Sequence, residues 1–223
     1  MRKVILFDID YTLIDTDLLR EEFMGSLVKV LQRDTGSNLE AIVNSLINIE
    51  MQLITERGKF ELGRYLGMIA ENYPSLGSLK NDLEKTFSSE EMFTKVVYPE
   101  TRSVLEKLQG KITVGVFSSG DVSFQRSKLS LSGLDKYMKE DDINIFEHKR
   151  NNISALMDKY QEAELIVVDD RAEILEGVKK VRPDALTLWV RRGKFAQKLP
   201  ETKEYAPSYE IDDLTEIFRV IEV

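Results

Sequence analysis

The residues best suited to chemistry are acids, hydroxyls and one lysine that follow short apolar runs. They are Asp8, Asp10, Ser118, Ser119, Lys149, Asp169 and Asp170. A carboxylate that is removed from water is strongly destabilised unless a cation or hydrogen bonds compensate its charge. The paired acids therefore indicate either a site for a cation and a substrate, or loops in which each acid accepts hydrogen bonds from its own backbone.

The acids predict a binding site for a divalent cation, and Mg²⁺ is the cation that best suits a set of oxygen ligands. We expect Asp8, Asp170 and a main-chain carbonyl near Asp10 to contact the metal. Asp169 is a further candidate ligand, either directly or through a water molecule. The charge of the metal would allow these acids to lie together and would keep Asp8 ionised, so that its carboxylate can act as a nucleophile.

The hydroxyl and ammonium groups predict a phosphoryl group as the ligand. Ser118 and Lys149 would hold its non-bridging oxygens, and Ser119 is a second candidate for phosphate contact. Asp10 would protonate the leaving group and then activate water against an aspartyl-phosphate intermediate. The structural alternative for Ser118 and Ser119 is a turn or a helix cap.

The composition limits the classes to which the protein can belong. With 223 residues, 42% of them hydrophobic and 31% charged, the chain can form one large domain or a medium domain that carries a smaller one. The net charge of −8 argues against nucleic acid as a partner, and no apolar run approaches the length that crosses a membrane. The absence of cysteine fits a reducing environment, so we expect a cytoplasmic protein that binds neither nucleic acid nor membranes.

The segment from residue 16 to residue 95 is predicted to be helical. Asp15 and Asn38 are typical helix caps, and apolar residues recur at helical spacing between the breaks in the pattern. The predicted helices run from the cap at Asp15 through about residue 33, from the cap at Asn38 to near residue 57, and over residues 60–73, 79–87 and 90–97. No strand pattern interrupts this segment, so we interpret it as an inserted all-α cap domain.

The rest of the chain alternates between strands and helices. Apolar runs predict buried strands over residues 4–7, 112–117 and 165–168, and further strands are predicted over residues 143–146, 185–190 and 209–211. This alternation is typical of an α/β fold with a doubly wound parallel sheet. We expect residues 1–15 and 96–223 to form this core, and residues 16–95 to cover the carboxyl ends of the strands, where such sheets bind ligands.

In the order of these motifs, the chain resembles the haloacid dehalogenase-like (HAD) hydrolase superfamily over nearly its whole length. The residues that carry the resemblance are Asp8, Asp10 and Thr12 in the first motif, Ser118 in the second, Lys149 in the third, and Asp169 with Asp170 in the fourth. The resemblance implies a Mg²⁺-dependent enzyme in which Asp8 is the nucleophile and Asp10 the general acid and base. It also implies that the helical cap closes over the site and selects the substrate.

Three positions depart from the common pattern of this superfamily. Tyr11 stands where glycine is common, Ser118 where threonine is common, and Arg150 where proline often follows the lysine. None of these changes removes a catalytic group. Lys149 fits the third motif because it precedes a predicted helix that leads directly into the fourth strand.

We therefore expect a phosphatase that acts on a small phosphorylated metabolite. A phosphomutase for sugar phosphates is the main alternative within the superfamily. A 2-haloacid dehalogenase fits less well, because those enzymes generally lack the second aspartate of the first motif, here Asp10. A non-enzymatic regulatory or binding protein on the same scaffold is the alternative from another class, although the chain retains its nucleophile and its metal-binding acids.

Other polar and aromatic residues have simpler interpretations. Arg57, Lys59 and Arg64 lie in the helical segment and are candidates for substrate contact, although basic residues on helix surfaces are usually solvated. The single histidine, His148, is expected to be a solvated loop residue. Trp189 is expected to pack in or beside the core.

Overall fold

The structure, a computed structural model, describes residues 2–58, 60–74, 85, 87–195 and 205–221. Its strands pair in parallel in the order β3-β2-β1-β4-β5-β6. They are β1 (Arg2–Phe7), β2 (Thr113–Ser119), β3 (Ile143–Phe146), β4 (Ala163–Asp169), β5 (Leu186–Val190) and β6 (Tyr209–Ile211). Because β1 is central and the chain winds outward from it in both directions, the predicted doubly wound α/β fold is confirmed.

Strand β1 is apolar throughout its second half because both faces of the sheet are covered. Val4, Ile5, Leu6 and Phe7 have no exposed surface. Ile5 and Phe7 belong to one apolar cluster, and Val4 and Leu6 belong to another on the opposite face. A strand buried on both faces has no position for a polar side chain until it ends, which places Asp8 at the edge of the sheet.

Helices cover the two faces and extend beyond the sheet. They are α1 (Thr16–Thr35), α2 (Leu39–Arg57), α3 (Leu62–Asn72), α4 (Glu90–Lys95), α5 (Thr101–Leu108), α6 (Val122–Leu131), α7 (Ile153–Lys159) and α8 (Ala172–Val181). Leu105 of α5 and Leu129 of α6 share the apolar cluster of Ile5. Leu156 of α7 and Leu175 of α8 belong to the cluster on the opposite face.

Helices α1 to α4 follow β1, and their buried side chains belong to the same apolar cluster as Ile5 and Phe7 of the sheet. The side chains of Asp15 and Asn38 cap α1 and α2, as predicted, by accepting hydrogen bonds from the main-chain N–H groups of Leu18 and Ala41. Leu31 and Leu46 are fully buried, although α1 and α2 lie beyond the sheet. The helix predicted over residues 79–87 lies almost entirely outside the described residues.

Two chain segments connect this helical unit to the sheet, and they pair with each other. The N–H of Asp15 donates to the carbonyl of Val96 at 2.8 Å, and the N–H of Tyr98 donates to the carbonyl of Leu13 at 3.2 Å. Ile14 and Val97 form an isolated antiparallel bridge between these two bonds. The helical unit therefore joins the sheet at one place, just after β1.

The predicted elements differ from the structure in two details. The sequence favours a helix that begins at Pro99, because proline suits a first helical turn, but α5 begins at Thr101, where the N–H of Thr101 closes a turn on the carbonyl of Tyr98. The last helix, Leu214–Arg219, is a 3₁₀ helix rather than an α-helix.

Trp189 is buried, as predicted. Within the described ranges, no helix has the length and apolar character needed to span a bilayer.

Candidate active site

Lys149 connects the ends of two strands through its buried ammonium group. Its Nζ donates to Oδ1 of Asp8 at 2.7 Å and to Oδ2 of Asp169 at 2.5 Å, and the side chain is 2% exposed. Burial alone lowers the pKa of Lys149, but the negative charges of Asp169 and Asp8 outweigh this effect and raise the pKa above its ordinary value. The lysine is therefore a fixed positive charge at the end of β1.

The two adjacent acids at the end of β4 differ in what their carboxylates contact. Both oxygens of Asp169 are engaged, Oδ2 by Lys149 and Oδ1 by the N–H of Arg171 at 2.9 Å. Oδ2 of Asp170 is buried, and no donor within the described part of the chain reaches it. Burial, together with the charges of Asp169 and Asp8, raises the pKa of Asp170 well above the ordinary value of an aspartate. An ionised Asp170 therefore requires a further positive charge.

These three carboxylates fit a metal ion. Asp8, Asp169 and Asp170 are all buried, and one oxygen from each lies within 4.8 Å of the others. The single charge of Lys149 offsets only part of their combined charge, and no donor among the described residues reaches Oδ2 of Asp170. A set of clustered carboxylate oxygens suits a hard cation such as Mg²⁺, which prefers oxygen ligands.

The two predicted serines occupy different positions at the end of β2. The hydroxyl of Ser118 is buried and has no hydrogen-bond partner among the residues described. A buried hydroxyl without a hydrogen-bond partner is energetically unfavourable. The hydroxyl of Ser118 is therefore suited to form a hydrogen bond with a bound ligand. Ser119 lines a cavity beside the strand ends, and its carbonyl accepts a hydrogen bond from the side-chain amide of Gln125 at 2.8 Å.

The carboxylate of Asp10 is held on both of its oxygens. Oδ1 accepts hydrogen bonds from Nζ of Lys128 at 2.6 Å and from the hydroxyl of Thr16 at 2.7 Å. Oδ2 accepts one from the amide of Gln125 at 2.7 Å. Burial alone raises the pKa of Asp10, but the charge of Lys128 and the three hydrogen bonds outweigh it and hold the pKa below the ordinary value. The side chain is therefore fixed in orientation and ionised.

Lys128, Gln125 and Thr16 belong to the site, although no motif in the sequence indicates them. Lys128 and Gln125 lie one turn apart on α6, and both are buried on the face of that helix turned toward Asp10. A buried lysine and glutamine on the same helix face are the signal that could have indicated a polar site. Nothing in the local sequence indicates that their partner lies more than a hundred residues away.

Tyr11 replaces the glycine common in the first motif and adopts the backbone conformation that glycine favours, with φ of 56°. Its hydroxyl donates to Oδ1 of Asp17 at 2.7 Å. Its ring lies edge-on to that of Phe195, and its Cδ1 lies only 2.0 Å from where a Cβ on Gly193 would be. Tyr11 therefore forms part of the wall of the site and depends on a glycine at position 193.

A cavity of about 410 Å³ lies between these strand ends and the helical unit. Its sheet side includes Asp8, Asp10, Lys149 and Asp170. Its opposite side comes from helices α1 to α3 and from the segment between α2 and α3. The volume falls within the range of about 300–1,000 Å³ that is usual for small-molecule sites.

Two of the three basic residues of the helical segment that were candidates for substrate contact, Arg57 and Arg64, do not line this cavity. Arg57 is exposed, whereas Arg64 is half-buried and forms an ion pair with Glu71 at 2.8 Å. Lys59 lies outside the described residues. Arg20, which the sequence analysis did not identify, is the arginine of α1 that does line the cavity. His148 is exposed, as predicted.

The sheet and its buried acids define a doubly wound α/β protein with a carboxylate-based site at the end of its central strand. A sequence profile of the haloacid dehalogenase-like hydrolases matches residues 2–182, and the chain belongs to this family of hydrolases. The family relationship confirms the resemblance drawn from the four motifs.

Individual relatives cover the whole chain. A glyceraldehyde 3-phosphate phosphatase from Pyrococcus furiosus is 27% identical over 243 residues, which cover 99% of this chain and 93% of the relative. A haloacid dehalogenase-like hydrolase from Burkholderia xenovorans has a structure with a TM-score of 0.76 and 24% identity, covering 98% of this chain and 95% of its own. The HAD hydrolase YfnB from Bacillus subtilis has a structure with a TM-score of 0.60 and 16% identity. The match covers 100% of this chain and 99% of YfnB. The structural similarities confirm the fold.

Proposed function

We propose that this hydrolase is a Mg²⁺-dependent phosphatase that acts on a small phosphorylated metabolite through an aspartyl-phosphate on Asp8. The observation that carries the proposal is the buried cluster at the end of β1. In it, the ammonium of Lys149 contacts Asp8, while Oδ2 of Asp170 and the hydroxyl of Ser118 have no hydrogen-bond partners within the described part of the chain. The phosphatase from Pyrococcus furiosus, a relative over the whole chain, agrees with this proposal.

In the first step, a carboxylate oxygen of Asp8 attacks phosphorus, and the bond between phosphorus and the leaving-group oxygen breaks. Because Asp10 is ionised in the free enzyme, it must first take up a proton from solvent; it then gives that proton to the leaving oxygen, and the alcohol departs. The ammonium of Lys149 and the hydroxyl of Ser118 bind the non-bridging oxygens, where charge is spread in the transition state. Ser119, which lines the cavity, is a further candidate for this contact.

In the second step, water attacks the phosphorus of the aspartyl-phosphate, and Asp10 takes a proton from that water. The bond between phosphorus and the oxygen of Asp8 breaks, which releases inorganic phosphate and restores both aspartates. Lys128 and Gln125 hold the carboxylate of Asp10 on both of its oxygens, so its direction is set before the substrate binds.

Asp8, Asp170 and the main-chain carbonyl of Asp10 would hold Mg²⁺, with Asp169 as a further ligand, directly or through water. The hydrogen bonds on both oxygens of Asp169 favour Asp170 as the acid in direct contact. When bound, the cation neutralises negative charge on the carboxylates and on the substrate phosphate.

We infer that residues 16–95 act as a cap domain on a core of residues 1–15 and 96–223. Two observations support this division. Helices α1 to α3 provide the wall of the cavity that faces the strand ends. The two connections, at Leu13–Asp15 and Val96–Tyr98, pair with each other, so the helical unit could move about one place in the chain.

Hydrolysis of p-nitrophenyl phosphate by the purified protein tests the proposal. We expect activity that EDTA abolishes and added Mg²⁺ restores, and we expect Asp8→Asn to reduce kcat by several orders of magnitude because the nucleophile is lost. Asp158→Asn, which changes an exposed acid, serves as the matched control. An Asp8→Asn protein that hydrolyses the ester at the wild-type rate would contradict the proposal.

A further inference from the structure

The wall of the cavity opposite the acids is mostly apolar. Helices α1 and α2 and the segment that follows α2 provide most of it, and α6 closes it from the side of the sheet. The side chains that form this apolar wall are Phe23, Met24, Leu27, Ile54, Phe60 and Phe124. Ile54, which lines the cavity, is 44% exposed, so its side chain is accessible to a ligand.

Three aromatic rings meet on this apolar wall. The ring centroids of Phe23 and Phe124 lie 5.8 Å apart, and those of Phe60 and Phe124 lie 6.0 Å apart. These separations fall within the range of about 4.5–7 Å in which aromatic rings attract each other. The rings therefore form a continuous aromatic surface that a further ring or a branched alkyl group can contact.

The few polar groups on the helical side of the cavity already have partners. Arg20 and Glu50 are the charged residues that line the cavity within the described part of the helical unit, and they pair with each other at 2.7 Å. The hydroxyl of Tyr65 donates to the carbonyl of Leu46 at 3.3 Å. A substrate with several hydroxyl groups would leave some of them unpaired against the apolar wall, at a free-energy cost.

We propose that the substrate is a phosphomonoester whose alcohol or phenol part is apolar, with an aromatic or branched aliphatic group that binds the apolar wall. This inference rests on the proposed function, because the phosphate must lie at the acids and Lys149 for its organic part to reach that wall. The cavity volume of about 410 Å³ suits a phosphate with one medium-sized organic group. The preferred substrate class therefore differs from small, highly hydroxylated sugar phosphates.

Two esters of primary alcohols, 2-phenylethyl phosphate and glycerol 3-phosphate, provide the test of substrate class. Both require the same type of phosphorus–oxygen bond to break, so a difference in kcat/KM reports on the organic part. We expect a preference of about tenfold or more for the phenylethyl ester, since small changes in contact with an apolar pocket alter kcat/KM by about 10- to 200-fold. Equal values, or a preference for glycerol 3-phosphate, would overturn the inference.

A failure of the proposed function is distinguished from a failure of this inference by two further probes. Acetyl phosphate tests the phosphatase chemistry with almost no apolar group. If the protein hydrolyses acetyl phosphate but does not prefer the phenylethyl ester over glycerol 3-phosphate, the proposed function stands and this inference fails. Calorimetry with 3-phenylpropylphosphonate and 3,4-dihydroxybutylphosphonate tests the apolar wall without turnover. We expect tighter binding of the phenyl compound, and equal affinities would refute the inference even in an inactive protein.

A pair of variants on α2 links the preference to the apolar wall. Ile54→Ser removes an apolar side chain that lines the cavity, whereas Met51→Ser changes a side chain on the same helix that is 63% exposed and does not line it. We expect the ratio of kcat/KM for 2-phenylethyl phosphate to that for acetyl phosphate to fall by about tenfold in Ile54→Ser and to stay constant in Met51→Ser. An equal ratio in both variants would count against the apolar wall as the substrate surface.

Discussion

The ammonium of Lys128 lies 2.6 Å from Oδ1 of Asp10 and is the buried cation that holds this carboxylate in place. Lys128 also lies over the ring of Phe124, with its Nζ 4.8 Å from the ring centroid. Phe124 belongs to the apolar wall of the cavity. Lys128 therefore contacts both Asp10, the proposed proton carrier, and Phe124, which belongs to the surface proposed for the organic part of the substrate.

Replacing Lys128 by methionine should impair the step in which the leaving group is protonated. Loss of the Lys128 charge would raise the pKa of Asp10 and favour its protonated form, but the side chain would also lose the contact that fixes its direction, and we expect this second effect to dominate. We expect kcat for an alkyl phosphate to fall by about 10²-fold, within the range of general acid catalysis. Hydrolysis of p-nitrophenyl phosphate should fall much less, because its leaving group departs without a proton. Lys139→Met changes an exposed lysine and is the control. Equal losses with both esters would show that Lys128 does not act through Asp10.

Asp170 should oppose folding in the absence of a cation. Its pKa in the folded protein is raised, so it ionises in the unfolded chain near the ordinary value of 3.8 while it remains protonated in the fold. Asp170 therefore does not lower the free energy of unfolding below about pH 3.8, and it lowers this free energy increasingly as the pH rises from that value toward the folded pKa. Asp170→Asn removes this penalty, and we expect the Tm of the metal-free protein at pH 7 to rise by about 2–4 °C for each kcal/mol recovered.

The same variant should lose its response to Mg²⁺. Wild-type protein should gain about 2.7 kcal/mol of stability at a Mg²⁺ concentration of about 100 times Kd, and Asp170→Asn should gain much less. Asp158→Asn provides the comparison for an exposed acid. An Asp170→Asn protein with a lower Tm and an unchanged Mg²⁺ response would contradict the assignment of Asp170 to the metal site.

Gly193→Ala should displace Tyr11 and destabilise the fold. A Cβ at position 193 would lie 2.0 Å from Cδ1 of Tyr11, and the backbone there has φ of 61°, which disfavours alanine. We expect a loss of about 1–3 kcal/mol in the free energy of unfolding, measured by urea denaturation. A Cβ at Gly25 on α1 would have nothing within 4 Å, so we expect Gly25→Ala to raise the free energy of unfolding by about 0.5–1 kcal/mol. The same sign of change in both variants would argue against the predicted contact.

The strands and the helical insertion could be predicted because they depend on local patterns. Continuous apolar runs indicated strands buried on both faces, and each run ended where a polar side chain meets the edge of the sheet. The start of α5 was less predictable, because the turn closed by Thr101 on Tyr98 competes with the preference of Pro99 for a first helical turn.

The partners of Asp10 could not be predicted, because they depend on packing between distant segments. Lys128 and Gln125 reach Asp10 only when α6 lies beside the end of β1, and neither residue belongs to a recognisable motif. The different contacts of Asp169 and Asp170 were hidden for the same reason. Adjacent residues on a strand point to opposite sides, but which side meets Lys149 depends on how β3 and β4 flank the central strands.

The central claim is that Asp8 carries the phosphoryl group during turnover, and an Asp10→Asn variant allows the intermediate to be trapped. With water activation removed, the aspartyl-phosphate should accumulate when the protein is mixed with Mg²⁺ and p-nitrophenyl phosphate, since this ester needs little proton donation. After acid quenching and digestion, mass spectrometry should find one phosphate on the peptide that contains Asp8, and none in Asp8→Asn/Asp10→Asn. A label on another residue, or no label in Asp10→Asn while one equivalent of p-nitrophenol is released, would contradict the account.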